Sequence, residues 1–168
     1  GSAYVGWGGC SNSAVVVGTG SLWNVAGSLV VSKDSASGAN RVVVTNGGTL
    51  QAYGIGIQDT EKLPLEQGGK LIVTGSNSVC RTGGGEFGLS RGKGSGAEFR
   101  VEKGALADIG GYIGLGKQYG GSNNCINVTG TGSRLLMLGK NSLYMEGSNN
   151  TFAVSAGGYA VLSNAQNT

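Results

Sequence analysis

Val42-Val43-Val44-Thr45-Asn46-Gly47 sets the period of this chain. Two apolar residues flank a third, and a polar, glycine-containing turn follows. The same phrase returns as Leu71-Ile72-Val73-Thr74-Gly75-Ser76, Phe99-Arg100-Val101-Glu102-Lys103-Gly104, Ile126-Asn127-Val128-Thr129-Gly130-Thr131 and Phe152-Ala153-Val154-Ser155-Ala156-Gly157. Upstream, Val15-Val16-Val17-Gly18-Thr19-Gly20 opens the series. Taking the last apolar residue of each gives positions 17, 44, 73, 101, 128 and 154, with separations of 27, 29, 28, 27 and 26. A period this long with so little drift marks a solenoid.

Two further columns keep step. One reads Val5-Gly6-Trp7, Leu29-Val30-Val31, Ile55-Gly56-Ile57, Phe87-Gly88-Leu89, Ile113-Gly114-Leu115 and Leu143-Tyr144-Met145. The other, after each turn, is Leu22, Leu50, Val79, Leu106, Leu135 and Ala160. A strand of three residues cannot bury its apolar side alone. Stacking each strand in parallel on its equivalent one repeat later solves this. The expected fold is all-β: a right-handed parallel β-helix, a three-sided solenoid of about six coils of roughly 27 residues. Val17, Val44, Val73, Val101, Val128 and Val154 are expected inside, and Val16, Val43, Ile72, Arg100, Asn127 and Ala153 outside. Leucine-rich repeats, propeller blades and Ca²⁺-binding β-rolls need signatures or periods that this chain lacks.

Composition agrees with this reading. Among 168 residues there are 35 Gly and one Pro, with 39% hydrophobic and 12% charged. That is glycine punctuating a folded chain, with neither the strict triplet of collagen nor the charge of a disordered segment. Gly1-Ser2 reads as a cloning remnant, and residues 3–168 as a single β-helix domain cut from a longer solenoid. The Asn residues before strands, as in Gly121 to Asn124 and Gly147 to Asn150, suit left-handed turns and stacked ladders. Gln58 to Gly69, with Asp59, Glu61, Lys62 and Pro64, is an insertion into one coil.

Chemistry is sparse. There is no His, so the commonest general base and metal ligand is missing. Cys10, Cys80 and Cys125 are not in metal-ligand spacing, and three cysteines make no disulfide framework. Asp34, Asp59 and Asp108 fall at different phases of the repeat. No catalytic residue, cofactor or metal site is expected. A net charge of +3 argues against nucleic acid as a partner, and no apolar run is long enough to insert into a membrane. Arg91, Lys93 and Arg100 are interleaved with Glu86, Glu98 and Glu102, as on a mixed solvated face.

The candidate interaction surface is therefore a row of small residues with nearby cations: Gly6, Gly56, Gly88 and Gly114, with Arg91, Lys93 and Arg100. The glycines are expected to point outward in register, forming a smooth face on which Lys at 88 and 114 would leave folding intact. The ends are the other expected contact. Ala3-Tyr4-Val5-Gly6-Trp7 starts directly as a core strand, and the residues after Leu162 are few for a cap, so self-association through uncapped ends is expected.

Val17-Gly18-Thr19-Gly20-Ser21-Leu22-Trp23-Asn24, Val44-Thr45-Asn46-Gly47-Gly48-Thr49-Leu50 and Val128-Thr129-Gly130-Thr131-Gly132-Ser133 resemble the repeats of bacterial autotransporter passengers, whose β-helices are pectin-lyase-like. The resemblance covers nearly the whole chain as a repeat style and carries no catalytic motif. It implies a secreted or cell-surface bacterial protein, structural or adhesive, with a glycan or host surface as ligand. Binding, or less readily cleavage, of carbohydrate is the alternative it implies. Three cysteines and uneven coil lengths depart from the pattern.

Overall fold

The computed structural model describes residues 1–34, 37–58, 68–138 and 142–163. The insertion expected at Gln58 to Gly69 lies mostly outside the described residues. The chain is a right-handed parallel β-helix of about five turns, with six rungs on each face and every described strand pairing parallel.

Face A stacks β2 (Ser13–Val17), β4 (Arg41–Thr45), β6 (Lys70–Thr74), β9 (Glu98–Glu102), β12 (Cys125–Thr129) and β15 (Thr151–Ser155). Face B stacks the first parts of β3 (Leu22–Val31) and β5 (Thr49–Ile57) with β7 (Val79–Thr82), β10 (Leu106–Ile109), β13 (Arg134–Leu138) and β16 (Tyr159–Ser163). Face C stacks β1 (Ala3–Val5), the second parts of β3 and β5, then β8 (Phe87–Leu89), β11 (Ile113–Leu115) and β14 (Leu143–Met145). Each coil runs C, A, B. In the first two coils faces B and C are one continuous strand, bent at an irregularity between Val25 and Ser28. After β7 and β10 the glycine corners Gly83 to Gly85 and Gly110 to Gly111 separate them.

The columns that face the interior are mostly those expected. Val44, Val73, Val101 and Val128 are fully buried, as are Ile57, Leu89 and Leu115 on face C. Each face departs from the expectation somewhere. On face A the register sets Val16, not Val17, beside Val44, so Val16 is inside and Val17 outside. Three consecutive valines carry no phase, and only the neighbouring coil decides. On face C, Ala3, Tyr4 and Val5 pair with Leu29, Val30 and Val31, so Val5-Gly6-Trp7 is not the first rung. On face B the inward column is Trp23, Leu50, Cys80, Ala107, Leu135 and Ala160, which puts Leu22, Val79 and Leu106 outside. Burial pushes the Cys80 thiol up to about 12, so it packs as a small apolar residue.

Polar ladders stitch the corner before face A. Asn40 Oδ1 accepts from the Asn12 backbone N–H at 2.8 Å and from Asn12 Nδ2 at 2.9 Å. Asn150 does the same for Asn124, at 2.9 Å each. Asn124 Oδ1 in turn accepts from the Ala97 N–H at 3.1 Å and from Ser90 Oγ at 2.6 Å. Where the third coil has Gly69, Gln58 Oε1 takes the Gly69 N–H at 3.0 Å. The backbone donors of Asn12, Gly69, Ala97 and Asn124 are thus matched by side chains.

The corner between faces A and B alternates. Counting inward residues, it spans 16 to 23, 44 to 50, 73 to 80, 101 to 107, 128 to 135 and 154 to 160: seven, six, seven, six, seven, six. Left-handed residues sit one apart in the long corners (Gly18 and Gly20, Gly75 and Asn77, Gly130 and Gly132). They are adjacent in the short ones (Asn46 and Gly47, Lys103 and Gly104, Ala156 and Gly157). The structural unit is therefore a pair of coils.

Candidate functional site

Gly56, Gly88 and Gly114 are neighbours on face C, in register, with Val30 on one side and Tyr144 on the other. They form a floor, but not a bare one. A Cβ on Gly88 would lie 2.8 Å from Arg91 Cγ and 3.2 Å from Glu86 Oε1. On Gly114 it would lie 3.1 Å from Lys117 Cβ and 3.3 Å from Glu86 Oε1. The absent side chains make room for charged ones lying flat on the sheet. The smooth exposed face expected from the sequence is thus roofed, and Lys at 88 would displace the Arg91 and Glu86 side chains.

Glu86 and Tyr112 immediately precede β8 and β11 and stack on each other, the Phe87 N–H donating to the Tyr112 carbonyl at 2.9 Å. Glu86 is one-tenth exposed, and its Oε2 lies 3.1 Å from Arg91 Nε. That ion pair lacks hydrogen-bond alignment: neither Arg91 Nε nor Glu86 Oε1 has a hydrogen-bond partner, although both atoms are buried. Burial, then a hydrogen bond to the Glu86 carboxylate and that group's charge, push the Tyr112 phenol up to about 12, so Tyr112 is a neutral donor to Glu86 at ordinary pH. Lys117 Nζ sits 3.7 Å above the Tyr112 ring and 4.2 Å from that of Tyr144. The two rings meet edge to face at 5.8 Å.

Together Ser28, Tyr53, Glu86, Arg91 and Tyr112 surround a cleft of about 370 Å³ over Val30 and Gly56. One wall is a glycine corner, Gly83 to Gly85, where the Gly85 N–H donates to the Tyr53 carbonyl at 3.0 Å. Against it packs Gly111, at which a Cβ would lie 1.9 Å from the Gly85 carbonyl oxygen.

The remaining sequence candidates lie elsewhere. Gly6 is not in the glycine row. It turns the chain at φ +83° against the Asn40 side chain. Lys93 is exposed beyond Arg91. Arg100 is on face A, bonded to Glu98 and 3.8 Å from Glu102, in a larger depression of about 500 Å³ with Arg41 and Lys70. Lys70 also pairs with Glu98, at 3.1 Å. Three cations, Arg41, Lys70 and Arg100, thus surround one lining carboxylate, Glu98. Burial alone would raise the Glu98 carboxyl, but hydrogen bonds from Arg100 and Lys70 outweigh it and hold the group below its ordinary value. A depressed carboxyl stabilises the fold above its unfolded pKa and loses that contribution as pH falls through the folded value. Melting temperature is therefore expected to fall below about pH 4.5. The drop should be smaller in Glu98→Gln, which scanning calorimetry across pH would show.

Tyr53, Tyr112 and Lys117 escaped the sequence reading, and Glu86 entered it only as one of the interleaved surface charges. The available signal was the position before each face C strand, which reads Gly54, Glu86, Tyr112 and Ser142. Among the described residues no group of three His, Cys, Asp or Glu side chains could hold a metal ion. Nor, among those residues, is any helix long and apolar enough to cross a membrane. No protein-family model, curated protein or solved structure matches this chain, so its likeness to autotransporter passengers rests on the repeat phrases alone.

Proposed function

We propose that this chain is a non-catalytic structural or adhesive module of a secreted or surface-exposed bacterial β-helix protein, and that its adhesive contact is the glycine-floored cleft. The observation that supports this is the lining of that cleft, in which Glu86, Arg91, Tyr53 and Tyr112 converge over a glycine floor. A carboxylate accepts hydrogen bonds and a guanidinium donates them, so hydroxyl groups, which do both, fit these walls. The cleft is lined by one carboxylate, whereas glycoside hydrolysis uses two. The bacterial and exported assignment rests on the repeat phrases.

Carbohydrate is the second reading. Tyr53, with its ring exposed, and Tyr112 stand on the walls of the same cleft, where a sugar ring can stack while its hydroxyls reach Glu86. A glycan array probed with the wild-type chain and with Glu86→Gln tests this. Glu86→Gln keeps the shape and removes the charge. Binding is expected with the wild type, and about tenfold weaker with the variant. Binding that is equal in both would refute the assignment to the cleft.

A further inference from the structure

Face A carries cations on three successive coils. Arg41 stands directly beside Lys70, and Lys70 beside Glu98, at the starts of β4, β6 and β9. Arg100 is two residues further along β9, beside Ile72. These side chains point outward, because Val42, Leu71, Phe99 and Val101 fill the interior between them. They meet around the depression of about 500 Å³, which Ala39, Gly68 and Gly96 also line. Neighbouring strands lie about 4.8 Å apart, so the three cations spread over roughly 10 Å along the axis.

Glu98 is shared between two of them, and donors are left over. Its Oε2 lies 3.1 Å from Lys70 Nζ, and its Oε1 accepts from Arg100 Nε at 3.1 Å and from Nη2 as well. Arg100 Nη1 lies 3.8 Å from Glu102. An ammonium has three donors, so Lys70 keeps two. Arg41 donates from Nε to Ser13 Oγ at 3.1 Å, and among the described residues no carboxylate pairs with it. Its two Nη groups are left for another acceptor. Like charges directly opposite each other in a sheet are destabilising. Arg41 and Lys70 are such a pair, and Glu98 compensates Lys70 alone. An oxyanion between them removes the repulsion and accepts charge-assisted hydrogen bonds from both.

We propose that this depression is a second binding site, separate from the cleft on face C, and that it takes the sulfate or carboxylate groups of an acidic polysaccharide. Arg41 and Lys70 grip the oxyanion, while Glu98 holds Lys70 and Arg100 in place. The surroundings select the polymer. β6 is paired on both sides, so no open edge takes a peptide strand, and the polar lining offers no groove to the apolar face of a helix. No aromatic side chain among the described residues lines the depression, whereas single-stranded nucleic acid is held by stacking. Duplex binding draws on about 6–10 phosphate contacts, more than three cations supply. A sugar chain bearing charged groups needs only the oxyanion contacts.

Biolayer interferometry on immobilised dextran sulfate and polygalacturonate, with neutral dextran as the blank, tests this. At least one acidic polymer is expected to bind at low salt, and the tighter of the two identifies the group. Arg41→Gln should weaken that binding about tenfold and leave the melting temperature in place. Arg134→Gln removes the same charge from an exposed position on face B and should leave binding within about twofold. Glu86→Gln, in the cleft, should not weaken it, so the two sites fail separately. Absence of binding to both polymers would overturn the proposal. Equal losses in Arg41→Gln and Arg134→Gln would overturn it too, since net charge alone would then attract the polymer. Weakening by Glu86→Gln would overturn it by moving the contact to the cleft. Tighter capture of single-stranded DNA or poly-glutamate at equal charge would overturn the choice of a polysaccharide.

Discussion

Val101→Asp is expected to abolish the native fold at ordinary temperature. Val101 is fully buried between Val73 and Val128 in the central column of face A. A carboxylate there has no cation within the column, and an uncompensated buried charge costs about 3–5 kcal/mol. That is comparable to the whole stability of many domains. Arg100 is the control. It lies one residue away and points outward to Glu98 and Glu102. Arg100→Asp loses these partly exposed pairs and adds a third carboxylate, which should cost about 1 kcal/mol. Thermal melts by circular dichroism check both. A native melt for Val101→Asp beside an unfolded Arg100→Asp would contradict the strand phase.

Gly111→Ala is expected to cost about 3 kcal/mol, although it adds only a methyl group. The new Cβ would fall 1.9 Å from the Gly85 carbonyl oxygen and 2.7 Å from its carbon. Both contacts are backbone, so no side-chain rotation relieves them. The coils must part locally, and Tyr112, the next residue, leaves its place beside Glu86. Urea unfolding should show the lowered midpoint with an unchanged slope. Gly84→Ala is the comparison, because a Cβ there meets nothing within 4 Å. Equal midpoints for the two variants would rule out the close approach at Gly111.

Most of the architecture was legible because an inward column repeats its chemistry. Val44, Val73, Val101 and Val128 are the same residue type at nearly constant spacing, and a parallel stack is the arrangement that buries them all. Phase failed where the residues themselves carried none. Val15, Val16 and Val17 are interchangeable by type, and Val5-Gly6-Trp7 imitates Ile55-Gly56-Ile57 while lying two residues beyond its rung. The alternating corners were also within reach, since the phrases themselves switch between Gly18-Thr19-Gly20 and Asn46-Gly47. The wrong phase in the first coil hid that switch.

The cleft was half legible. Gly56, Gly88 and Gly114 announced a floor by sharing a position in the repeat. What covers it did not follow from spacing, because Arg91 and Lys117 reach back from the turns after their strands, and Glu86 reaches across two rungs. Glu86 was counted among interleaved surface charges, a reading that describes Glu98 correctly. The difference between the two lies in their partners. Glu98 is bonded by two cations of its own face, Arg100 and Lys70, whereas Glu86 shares its place with one cation, Arg91, and with the Tyr112 phenol.

The central claim is that the glycine-floored cleft holds a ligand and leaves it unchanged. The most direct measurement is nuclear magnetic resonance of the chain with labelled tyrosines, titrated with the best glycan from the array, followed by mass analysis of the recovered glycan. The account predicts saturable shifts at Tyr53 and Tyr112, none at Tyr4 or Tyr159, and a glycan of unaltered mass. Shifts confined to Tyr4 and Tyr159, or a cleaved glycan whose formation stops in Glu86→Gln, would contradict it.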